Sequence, residues 1–157
     1  MDDLYVRLAK HLESLTMGYP YTDELLDLLQ EMFSPTEAQV ALAIPNDLEP
    51  LQVVSLNTIA VGSDLPLPEV TRALDSMAGR NMLYTAPTAD GASGYALLQV
   101  GYGLPQAFFW KGKLDDTTKR MSKLVLKYFT VPTTQKIYGG VRTKSFRYIP
   151  ANRSIEI

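Results

Sequence analysis

One histidine, His11, and no cysteine occur in the 157 residues. Any Ser–His–Asp arrangement must therefore pass through His11, which lies in a helical stretch between Arg7 and Leu15 at one-turn spacing. No carboxylate stands on its N-terminal side to orient the ring, and a general base needs such a partner. A surface or partly buried structural histidine is the simpler reading. The missing cysteines exclude a cysteine nucleophile, a disulfide framework and a cysteine-ligated cluster or zinc site within these residues. The adjacent carboxylates Asp115 and Asp116 suit the positive end of a helix dipole better than acid–base chemistry. The glycines at 101, 103, 139 and 140 lack phosphate-loop spacing and read as turns. Catalysis is not expected.

What remains is binding chemistry. Lys111, Lys113, Lys119, Arg120, Lys123 and Lys127 follow closely on Phe108, Phe109 and Trp110. Cations beside aromatics suit single-stranded nucleic acid or an acidic protein surface. The plainer account is a solvated face whose lysine stems cover apolar neighbours. The formal net charge of −2 conceals an uneven distribution. Residues 1–50 carry 2 basic and 10 acidic side chains, and residues 101–157 carry 11 and 3. An acidic front and a basic back suggest a basic end that meets an acidic partner.

The elements that must position these groups begin with helical spacing at Tyr5, Leu8, Leu12 and Leu15. Thr22 before Asp23 and Glu24 suits the cap of a second helix. Ser34-Pro35-Thr36-Glu37 is a capping box with proline at the first helical position, so a third helix starts there and runs to Pro45. Residues 50–62 are expected to be helical, with Val53, Val54, Leu56, Ile59 and Ala60 inward. Residues 67–79 follow as another helix. Two apolar runs around TADGASG predict a hairpin over 82–100. Residues 114–129 form a last helix with Leu114, Met121, Leu124, Val125 and Tyr128 inward, and 130–157 reads as an extended tail.

Helix, turn, helix, hairpin is the order of a winged helix–turn–helix. The expected fold class is α+β, with that core at 49–101, an N-terminal helical part at 1–48, and a C-terminal helix and tail at 102–157. In this arrangement Thr71, Arg72, Arg80 and Asn81 would be the DNA-reading residues. Their setting is poor in charge: Glu69 and Asp75 oppose the two arginines, and the hairpin turn holds one acid and no base.

Four stretches in this order resemble a known family. VRLAKHLESLTMGYP, MFSPTEAQVALAI, GRNMLY and FRYIPANRSIEI are similar to segments of anaerobe proteins in which a winged-helix domain precedes a ferredoxin-like module with 4Fe-4S clusters. In that family the cluster-ligating cysteines follow the Ile-Pro segment. No cluster ligand is therefore carried over, and the resemblance places any 4Fe-4S cluster in a downstream module, with no cofactor in this chain.

The resemblance and the base-poor helix at 67–79 lead to one expectation: a cytoplasmic, non-catalytic interaction or regulatory domain associated with an iron–sulfur redox protein. The partner would be a redox protein or the chain's own C-terminal ferredoxin-type module. Its partner-binding residues would be Lys119, Arg120, Lys123 and Lys127 for charge, and Tyr148 and Ile149 for strand docking. The alternative is a MarR-like DNA-binding regulator, with a homodimer formed through residues 2–16 and 114–129. No membrane span is expected, because no run approaches the roughly 20 apolar residues required.

Overall fold

A computed structural model describes residues 3–101, 103, 108–109 and 111–139. The fold is α+β. Its elements are α1 (Leu4–Glu13), α2 (Asp23–Met32), α3 (Pro35–Leu42), β1 (Val54–Ser55), α4 (Leu56–Ser63), α5 (Leu67–Gly79), β2 (Leu83–Pro87), β3 (Ser93–Leu97), α6 (Asp116–Tyr128) and α7 (Val131–Gly139).

Each early helix starts on a side chain that satisfies an amide the helix leaves unpaired. Asp3 accepts from the Tyr5 amide at 3.0 Å, and Thr22 from the Leu25 amide at 3.2 Å. At α3 the box closes in both directions: the Glu37 amide donates to Ser34 Oγ at 3.3 Å and the Ser34 amide to Glu37 Oε2 at 2.9 Å. The helices then bury leucine-rich faces. Leu8, Leu12, Leu25, Leu28, Leu29 and Met32 are all essentially inaccessible, each contributing about 1.5–3 kcal/mol of transfer free energy. One hydrophobic cluster runs from Leu8 to Ile137, so the three expected segments share a single core.

The sheet is antiparallel with strand order β1-β3-β2. Leu83 pairs with Leu97 and Thr85 with Tyr95, while Val54 pairs with Tyr95 from the other side. The chain after α1 is stitched to the chain after β3. Val100 donates its amide to Met17 O at 2.9 Å, the Met17 amide donates to Gln99 Oε1 at 2.9 Å, and the Tyr19 hydroxyl donates to Leu98 O at 2.9 Å. Gly18 is required in this stitch, since a Cβ there would lie 2.0 Å from Glu13 O.

Three expectations are corrected. Residues 50–62 are not one helix. Leu51 has a left-handed φ of 68°, Val54 and Ser55 pair with β3, and Ser55 then caps α4 by accepting from the Thr58 amide at 3.3 Å. Residues 130–157 are not wholly extended, because α7 forms at 131–139. It opens on Thr130, whose Oγ1 accepts from the Thr133 amide at 3.4 Å, and it buries Thr133 and Ile137. Leu114 does not face inward; it precedes α6 and is 89% exposed.

α6 lies against α2. Met121 and Tyr128 are buried there, and the Tyr128 hydroxyl donates to Pro20 O at 3.0 Å.

Candidate functional site

The residues expected to read DNA sit on α5 and the turn that ends it. Thr71 donates its hydroxyl to Leu67 O, one turn back in its own helix, at 2.9 Å. Arg72 is exposed. Arg80 is occupied within the fold. Its Nη1 donates to Met32 O at 2.8 Å and its Nη2 to Glu37 Oε1 at 2.5 Å. The Ser76 hydroxyl donates to the same Glu37 oxygen at 2.7 Å. Burial works to raise the Glu37 pKa, but the Ser34 amide, the Ser76 hydroxyl and Arg80 outweigh it and leave the carboxyl below its ordinary value.

Asn81 has a structural duty as well. It adopts a left-handed φ of 55°. Its amide donates to Ala78 O at 2.9 Å and the Met82 amide to Met77 O at 2.9 Å. This is the Schellman pattern, and asparagine tolerates the left-handed position better than most residues. It aims the chain from α5 into β2.

The hairpin turn between β2 and β3 carries no base. Its Asp90 accepts from the Thr88 hydroxyl, which holds the carboxyl below the ordinary range, and the Thr88 amide donates to Ala92 O at 2.8 Å.

The basic residues of α6 divide into two groups. Arg120 reaches across to α2, where its Nη2 is 3.1 Å from Glu31 Oε1. Lys119 lies 3.5 Å from Asp116, an exposed pair. Lys123 and Lys127 are exposed and form no ion pair among the described residues, although Lys127 exerts a weak pull on Glu24. Leu126 stands among them, 76% exposed. The acidic front and the basic back of the chain thus meet at the α2–α6 contact. Asp115 caps α6 through the Thr118 amide and hydroxyl, both at 2.8 Å, and these bonds hold its carboxyl below the ordinary range. Tyr148 and Ile149 lie outside the described residues.

His11 pins α1 to the end of α3. Its Nε2 lies 2.8 Å from Ile44 O, a pure acceptor, so that nitrogen carries the proton. Its Nδ1 then accepts from Asn46 Nδ2 at 3.1 Å. Burial lowers its pKa, with the bond to Ile44 opposing. Asn46 was not foreseen as a partner, being far from His11 along the chain. Among the described residues no three His, Cys, Asp or Glu side chains group to hold a metal, and no helix is long and apolar enough to cross a membrane.

Two stretches read separately in the sequence meet in space. The turn after α5, with Arg80 and Asn81, lines one groove together with Phe108, Lys111, Lys113 and Thr117. Comparisons with protein-family models, curated proteins and solved structures returned no match.

Proposed function

We propose that the chain is a winged helix–turn–helix interaction domain, non-catalytic, that works with an iron–sulfur protein of the 4Fe-4S ferredoxin type. The winged-helix reading is supported by the order α3, β1, α4, α5, β2, β3 and by the strand order β1-β3-β2. In it α5 takes the recognition position and the β2–β3 hairpin is the wing. The association with a redox partner, or with a downstream module of the same protein, rests on the resemblance of the four segments.

One observation favours protein over duplex as the partner. Arg80 is bound to Glu37 and Met32 O, which leaves Arg72 as the cation without an ion pair on α5 and its terminal turn among the described residues. Phosphate recognition draws its affinity from several free cations. α6 by contrast presents two cations without an ion pair among the described residues, Lys123 and Lys127, with Lys119 weakly paired. A complementary acidic surface would be steered to that helix.

The test is titration with a purified acidic 4Fe-4S ferredoxin, followed by amide chemical shifts. Shifts along α6 that disappear in a Lys119→Glu/Lys123→Glu/Lys127→Glu variant support the reading. Shifts that persist unchanged in that variant defeat the charge role.

The second reading is a MarR-like regulator that binds DNA through Thr71, Arg72 and Asn81, favoured by the placement of α5 beside the hairpin. Duplex binding measured at two salt concentrations decides it. A complex that weakens steeply with salt and is lost in Arg72→Ala supports it. The absence of any complex at low salt rejects it.

A further inference from the structure

A groove of about 350 Å3 lies where the turn after α5 meets the start of α6. Pockets that hold small organic ligands span roughly 300–1,000 Å3. Its lining includes Gly79 and Asn81 from that turn, then Phe108, Lys111 and Lys113, and Thr117 from the first turn of α6.

The charge available to a ligand depends on which ionic groups are already spent. Arg80 is held by Glu37, and Glu31 by Arg120. The Asp115 carboxylate is engaged by the Thr118 amide and hydroxyl, so the helix terminus has its own anion. Lys111 and Lys113 are exposed and form no ion pair among the described residues. Two ammonium groups outside any ion pair therefore border the groove, Lys111 and Lys113, the second also acting at longer range on Asp115, which lines the groove with Glu31. Beside them Phe108 is half-buried, packed against the core and set edge-to-face on Phe109 with ring centroids 5.7 Å apart. An anchored ring next to free cations is the combination that recognises an apolar body carrying an acid group.

We propose that this groove binds a small amphiphilic anion: an aromatic or alkyl body against Phe108, and a carboxylate, sulfonate or phosphate on Lys111 and Lys113. An occupant would touch both the Asn81 turn that closes α5 and the start of the helix bearing the exposed lysines. The site stands independently of whether the partner is a redox protein or DNA.

The probe is 8-anilinonaphthalene-1-sulfonate, with the uncharged N-phenyl-1-naphthylamine as its comparison. The sulfonate should bind saturably at one site, more weakly as salt is raised. The variant Lys111→Glu/Lys113→Glu should lose about tenfold or more in affinity for it, since it removes both charge-assisted contacts and reverses their sign. The same variant should hold the uncharged probe as the native protein does, and Lys10→Glu, on α1 and away from the groove, should leave both unchanged. Amide shifts on the native protein should centre on Gly79, Asn81 and Thr117, a readout that needs no substitution to fold. Equal sulfonate affinity in the Lys111/Lys113 variant, no saturable binding, or shifts centred elsewhere would each overturn the proposal.

Discussion

The Arg80 guanidinium bonds the Glu37 carboxylate across the α3–α5 contact, and the same carboxylate closes the capping box of Ser34. One side chain thus starts a helix and fixes the end of another. Arg80→Ala should lower stability by about 1–2 kcal/mol. That is less than for a fully buried pair, because the Arg80 side chain is 36% exposed. Glu37→Gln keeps a residue that can still serve the box but removes the charge. A double-mutant cycle of the two in urea should return a coupling near 1 kcal/mol. Strict additivity would show that the pair is not energetically linked.

Ser34→Ala tests the local half of the same relationship. Loss of the cap should cost about 1 kcal/mol and lower the thermal midpoint. An unchanged midpoint would mean that the Glu37 amide finds another acceptor.

These two features differ in how far they could be read along the chain. The capping box lies within four consecutive residues, as does the Thr22 cap, so both were legible. The pairing of Glu37 with Arg80 was not, because nothing local brings positions so distant in sequence together. The same holds for charge: the excess of acid at the front and base at the back was plain, but that α2 and α6 pack together, with Glu31 on Arg120, is a tertiary fact. Val54 departs from the helical expectation for another reason. A short apolar run fits strand or helix equally, and pairing with β3 decides it. At α7 the sequence did carry a signal, Thr130 ahead of Pro132, but paired threonines and glycines obscured it.

His11 gives the fold a dependence on pH. The ring is held neutral, donating from Nε2 to Ile44 O and accepting at Nδ1 from Asn46. Its folded pKa lies below the ordinary 6.5. The unfolded chain therefore takes up a proton at a higher pH than the folded one. The stabilisation is fully present above the unfolded value and is lost as pH falls through the folded one. Urea midpoints should fall on going from neutral to mildly acidic pH, while His11→Gln, which has no titration there, should be flatter. Parallel profiles would remove His11 as the cause. The Glu37 contribution belongs to a lower window: its depressed pKa is linked to stability that is lost only as pH falls below the ordinary carboxylate value.

Asn81 separates a conformational role from a contact role. Its φ of 55° suits glycine at least as well as asparagine, and disfavours any residue with a Cβ that lacks a compensating amide. Asn81→Gly should therefore change stability by only a few tenths of a kcal/mol, and Asn81→Ala should cost about 1 kcal/mol. Both variants lose the side-chain amide, so a function that depends on contact by that amide should fail equally in both. A function that depends only on the turn should survive in Asn81→Gly and weaken in Asn81→Ala. Equal stability of the two variants would show that the left-handed turn does not discriminate at this position, and the identity of Asn81 would then have to be explained by what it touches.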